Sequence, residues 1–236
     1  MTAINVLKQL EELAEPRKAN LYQRFFKTGK GQYGEGDRFI GLTNPKIHAV
    51  VKEFKKLPLT EISKLVQNHF HEARVTAALI MVEQYRKAND KTKADIFNLY
   101  CQSFKFINNW DIVDLSAYKI TGDYIYNHPN LLPKIYTWIK SKDLWTRRIG
   151  VMSTFAFIRN CDLGLTIDVC QQLLNDPHDL IHKATGWMLR EVGKRDLSVL
   201  IKFLDKYTAQ MPRIMLRYAI EKLPENKRRF YLEKKN

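Results

Sequence analysis

The heptapeptides ARVTAAL (73–79), VDLSAYK (113–119), RRIGVMS (147–153), HKATGWM (182–188) and PRIMLRY (212–218) share one pattern. Their second positions are Arg74, Asp114, Arg148, Lys183 and Arg213, separated by 40, 34, 35 and 30 residues. An apolar residue follows each: Val75, Leu115, Ile149, Ala184 and Ile214. This is the period of helical-hairpin repeats of the HEAT or armadillo kind, in which every unit buries its apolar face on its neighbours. Partner helices fit between the repeats at 92–100, 131–139, 163–174 and 197–207. Breaks fall at Asn127-His128-Pro129, Asn175-Asp176-Pro177 and Leu223-Pro224, where proline ends or restarts a helix. No segment alternates with period two. The fold expected is all-α, a right-handed solenoid of HEAT-like antiparallel helical hairpins with a concave basic groove, running as a single domain over 1–236.

Outward from the repeats, the N-terminal part is also helical. Ile4, Leu7, Leu10 and Leu13 recur every three residues, and Leu21, Phe25 and Phe26 suggest a second apolar face opened by Pro16. The stretch GKGQYGEGDRFIGLTNPK (29–46) holds five of the ten glycines and cannot be a regular helix. Its glycines suit a close approach to a ligand or a mobile connection. Asn44-Pro45 reads as an N-cap and first helical residue, ahead of the face Ile47, Val50, Val51 and Phe54. Thr60 reads as the cap of the helix after that.

The chain has 236 residues, with 39 Lys and Arg against 25 Asp and Glu, a net charge of +14. Self-repulsion of that size is relieved by a polyanion, and nucleic acid fits better than an anionic membrane surface. A solubility device in a basic proteome is the plainer reading. Cys101, Cys161 and Cys170 lack CxxC spacing and make neither a disulfide framework nor a zinc signature. Without a long apolar run or a signal-peptide core, the expectation is a cytoplasmic protein with no membrane partner. A monomer is expected.

Solenoid curvature gathers equivalent repeat positions on one surface. Arg74, Arg148, Lys183 and Arg213, with Arg147, Arg190 and Arg217 nearby, therefore read as a stripe that tracks a phosphate backbone. Their plainer role is to cover helix surfaces with long aliphatic stems. Lys27, Lys30, Arg38, Lys46 and Lys52, then Lys227, Arg228, Arg229, Lys234 and Lys235, extend the basic surface at the two ends. Asp114 interrupts the stripe. A carboxylate there repels phosphate, but it suits a positive charge that develops on a substrate; an ion pair with Arg148 explains it equally. Asp111 reads as a first-turn residue favoured by the helix dipole.

Trp110 precedes Asp114 by one turn, and Trp187 follows Lys183 by one turn, so both reach the stripe as stacking faces or else pack as core. Trp138 and Trp145 read as packing residues. Tyr22, Tyr33 and Phe39 are groove contacts or loop anchors. His69 and His71, with Glu72 adjacent, fall on different helical azimuths with no third ligand at recognisable spacing, and His178 and His182 lack the zincin pattern, so no metal is expected. Cys170 has no recognisable base beside it.

The segments KATGWMLREVGK (183–194), WDIVD (110–114) and LWTRR (144–148), with FIGLTNP ahead of the repeats, resemble the HEAT-like DNA alkylation repair glycosylases of the AlkD family over nearly the whole chain. The resemblance implies hydrolysis of the N-glycosidic bond of N3- or N7-alkylated purines in duplex DNA, in base excision repair. It further implies no metal or organic cofactor, and a lesion left stacked rather than inserted into a deep pocket. The family's catalytic set of two tryptophans, an aspartate and an arginine is matched by Trp110, Trp187, Asp114 and Arg148. The alternative is a non-catalytic HEAT-repeat nucleic-acid-binding protein that uses the same basic stripe.

Overall fold

The computed structural model describes residues 1–234; Lys235 lies outside them. Among the described residues there is no strand, and an isolated bridge joins Arg38 to Phe70. The chain divides into two compact units, Met1–Ser116 and Ala117–Asn236. Both are built from antiparallel helical hairpins in the repeat-like arrangement of a HEAT-like solenoid.

The first unit contains α1 (Ala3–Glu12), α2 (Pro16–Phe25), α3 (Asn44–Phe54), α4 (Leu59–Val66), α5 (His71–Lys87), α6 (Asp90–Gln102) and the start of α7 (Trp110–Ala117). Thr2 and Asn5 form a capping box for α1. Its buried line is Ala3, Val6 and Leu10, while Ile4 is exposed. Steps of three and four hold one face of a 3.6-residue helix, whereas strict steps of three drift off it. Pro16 opens α2 as expected, but Leu21 and Phe25 are exposed and only Phe26 of that trio is buried. Thr43 rather than Asn44 is the N-cap of α3, and Pro58 rather than Thr60 precedes α4. The centre of this unit is α5, packed against α3, α4 and α6. It is buried on nearly all sides, which explains its run of small and apolar residues.

The second unit continues α7 through a π-helical turn, Tyr118–Gly122, into α8 (Asp123–Asn127). There follow α9 (Pro133–Ile139), α10 (Leu144–Arg159), α11 (Gly164–Gln172), α12 (Asp179–Arg195), α13 (Leu197–Tyr207), α14 (Arg213–Ala219) and α15 (Glu225–Glu233). Helices α10 and α12 form its spine, and α12 also packs on α11, α13 and α14. Gly186 permits the approach of α12 to α14: a Cβ there would lie 2.5 Å from the Met215 carbonyl oxygen. Alanine ordinarily favours a helix over glycine by about 1 kcal/mol. Gly186→Ala is nevertheless expected to destabilise by about 1–3 kcal/mol, because backbone must move. A urea midpoint at or above that of the native chain would contradict this.

The structure corrects the register of two repeats, the first and the last. Arg74 and Arg147 are each the fourth residue of their helix, and each donates through Nη1 to carbonyls six and five residues earlier. For Arg74 these belong to Asn68 and His69, and for Arg147 to Ser141 and Lys142. Each guanidinium also pairs with an aspartate, Asp37 or Asp176. Arg74 is therefore the counterpart of Arg147, not of Arg148. The fifth helical positions are Val75, Asp114, Arg148, Lys183 and Arg217. Arg217, not Arg213, thus falls in phase at the last repeat.

Candidate functional site

In the first unit the glycine-rich stretch is pinned rather than loose. Glu72, the second residue of α5, is buried and accepts backbone N–H bonds from Ile40, Gly41 and Leu42, the one to Gly41 at 2.8 Å. Gly41 has φ +88°, and a Cβ there would strike the Glu15 carbonyl and the Ala19 amide. Only glycine fits this approach to α2. Asp37, from the same stretch, is buried between three donors: His71 Nδ1 at 3.1 Å, Asn109 Nδ2 at 2.9 Å and the Arg74 guanidinium. Burial opposes its charge, but the His71 hydrogen bond and the Arg74 charge hold its carboxyl below the usual range.

This anchoring supports Trp110. Its indole stacks on Phe26, centroids 5.4 Å apart and planes 20° apart, with Phe25 edge-on at 6.1 Å. The indole N–H donates to the Tyr33 hydroxyl at 3.3 Å. Asn109 accepts the Trp110 amide and Asp111 accepts the Ile112 amide, so the first turn of α7 is closed by side chains. Asp114 stands one turn after Trp110, half-buried, close enough to Tyr100 that its charge adds to the effect of burial in raising that phenol. The hydroxyl of Tyr100 is 2.7 Å from Ser116 Oγ. Trp110 and Asp114 thus place an indole and a carboxylate on one helix face.

In the second unit Trp187 is half-buried, its indole N–H on Glu191 at 3.1 Å and its ring 6.4 Å from that of Phe155. Phe155 in turn packs on Tyr118. Arg148 is 5% exposed and donates to the Leu180 carbonyl, so its guanidinium belongs to helix packing before any phosphate contact. Trp145 is buried and Trp138 half-buried, in keeping with packing.

Several of the expected phosphate contacts are engaged within the protein. Arg74 is 4% exposed on Asp37, and Arg147 binds Asp176 at 2.7 Å. Arg190 pairs with Glu221 and Glu191, and Lys46 bridges Glu15 at 2.7 Å and the Leu13 carbonyl at 3.1 Å. These four tie elements of the protein together. Lys27, Lys30, Arg38, Arg213 and Arg217 are exposed, and Lys183 is half-exposed. Arg213 also reaches the Leu232 carbonyl.

Asp37, His71, Asn109 and Asp111 were missed as a group. Their partners lie 34 to 72 residues apart, a separation that leaves no local signature. Asp111 is more than a first-turn residue, since it accepts from His71 Nε2 at 2.8 Å. Among the described residues no three His, Cys, Asp or Glu side chains are grouped as metal ligands, and no helix is long and apolar enough to cross a membrane.

The fold is shared with a solved structure described as a predicted DNA alkylation repair enzyme from Enterococcus faecalis. The TM-score is 0.70 at 18% identity, over 90% of this chain and 97% of that one. No curated protein matches the sequence significantly. The family model described as DNA alkylation repair enzyme matches residues 6–223, across both units and including every tryptophan discussed above. On that match the chain belongs to the DNA alkylation repair family.

Proposed function

We propose that this member is a DNA glycosylase that hydrolyses the N-glycosidic bond of cationic N3- or N7-alkylated purines in duplex DNA. The observation that carries the reading is the first turn of α7. A rigidly held indole, Trp110, stands one turn before a half-buried carboxylate, Asp114. An alkylated purine is already positively charged and leaves without a general acid. As the bond stretches, positive charge moves to the deoxyribose, and Asp114 stabilises that centre and orients the attacking water. Trp110 offers a polarizable face to the same cationic sugar. Trp187 is assigned a stacking contact with DNA and Arg148 a supporting one, both by resemblance to the family. We read the whole chain as one repair domain acting as a monomer.

Lys183 and Arg217, which fall in phase along the repeats and reach solvent, are assigned phosphate contacts. Alanine at either should weaken binding of lesion and undamaged duplexes alike and lower the salt slope by about 1. Affinity insensitive to salt, or weakening confined to the lesion duplex, would refute that role. Free-base release from duplex carrying N7-methylguanine tests the activity itself. Duplex binding without any release would identify a non-catalytic DNA-binding protein instead.

A further inference from the structure

His71 is the first residue of α5, 2% exposed, and lies between two carboxylates. Nδ1 is 3.1 Å from Asp37 Oδ2 and Nε2 is 2.8 Å from Asp111 Oδ2. A histidine that donates at both nitrogens must be an imidazolium. The rings of Phe39 and Phe26 cover it at 4.5 and 5.0 Å. Arg74 faces it through Asp37, and the adjacent Glu72 is engaged by backbone amides. Two carboxylates, one imidazolium and one guanidinium make this buried cluster neutral.

The cluster suspends the start of α7 from Asp37 by two arms. One runs through Asn109, which donates to Asp37 and accepts the Trp110 amide. The other runs through His71 to Asp111, the residue after Trp110. We infer that His71 is a positioning residue for the proposed base release: its two-sided bridge fixes the first turn of α7, and so the placement of Trp110 and Asp114. The inference rests on the glycosylase reading for its consequence in catalysis, but not for its geometry.

The second arm depends on charge. Burial works against the imidazolium, but Asp111 and Asp37 more than offset it and push its pKa up to about 9. The folded value lies above the ordinary 6.5, so its stabilisation is complete below 6.5 and is lost as pH rises through about 9. Once neutral, His71 can donate to only one carboxylate. Asp37 keeps Arg74 and Asn109; Asp111, with a side chain 20% exposed, is the one that turns to water. The helix start loosens without unfolding.

His71→Gln and Asp111→Ala, singly and together, test this in the full chain, with circular dichroism as the check on folding. Each single variant should keep duplex affinity within about twofold and lose about tenfold in single-turnover release of N7-methylguanine at saturating protein. The double variant should be no slower than either, because both remove one arm. The readout independent of activity is the indole N–H resonance of Trp110, assigned by its absence in Trp110→Phe. In the native protein it should shift between pH 7 and 10 with a midpoint near 9, and this titration should vanish in H71Q. A folded H71Q with the native release rate and an unaltered Trp110 resonance overturns the inference. If the native protein releases no base, the glycosylase reading alone fails. The pH titration of the native Trp110 resonance then decides: a midpoint near 9 supports the positioning role, and a flat profile overturns it.

Discussion

Asp114→Asn is expected to leave fold and duplex affinity in place while slowing release of N7-methylguanine by about 10²–10³-fold, roughly 2.7–4 kcal/mol of transition-state stabilisation. The substitution keeps the shape of the side chain and removes the charge that meets the developing sugar cation. Binding should tighten slightly, since a carboxylate that repels phosphate is gone. Single-turnover kinetics at saturating protein separate the two effects. A folded D114N chain that releases base at the native rate would reduce Asp114 to a structural ion-pair residue. The glycosylase reading would then have lost its central residue.

The largest expected effect on stability belongs to Glu72, which touches no proposed substrate. Glu72→Ala leaves the amides of Ile40, Gly41 and Leu42 without their acceptor in a largely buried setting. The expected cost is about 3–5 kcal/mol, from unsatisfied buried donors and the loss of bonds to a charged group. Glu72→Gln keeps one acceptor oxygen and should cost less than half as much. Equilibrium urea unfolding of the three proteins gives the comparison, and equal stability of E72A and native chain would contradict it. Because Tyr33 lies in the same loop and Phe26 just ahead of it, and both brace Trp110, E72A should also slow base release.

The helices were legible in the sequence because their apolar faces and prolines are local signals. Leu197–Tyr207, the start at Pro16 and the break at Asn175-Asp176-Pro177 ahead of α12 follow directly from such marks. The register of the first repeat was legible only to within one residue. At Arg74 the basic residue belongs to the turn of helix that caps preceding carbonyls, and its equivalent is Arg147. A charge pattern alone does not distinguish adjacent helical positions when both carry arginine, as in Arg147-Arg148.

The site was half legible. Trp110 and Asp114 stand four apart, and a four-residue interval fixes their common face before any tertiary contact is known. What holds that face was hidden. Asp37 sits in a glycine-rich stretch that composition describes as loose, and His71 looked like an incomplete metal ligand. Their meaning lies in contacts across 34 and 40 residues. Likewise, net positive charge does not say which cations face solvent. Arg74, Arg147, Arg190 and Lys46 each have an acidic partner remote in sequence.

The Asp37 anchor also bears on the order in which the chain acquires its structure. Helical hairpins close over short loops and form early, whereas Asp37 must find Asn109 across 72 residues of chain. That contact joins Asp37 to the start of α7, so it is expected to form on the downhill side of the folding barrier. Weakening it would leave the refolding rate nearly unchanged and appear almost wholly as faster unfolding. The glycine-rich segment is thus expected to be the last part of the first unit to settle, and an Asp37→Asn chain that refolds markedly more slowly would contradict that order.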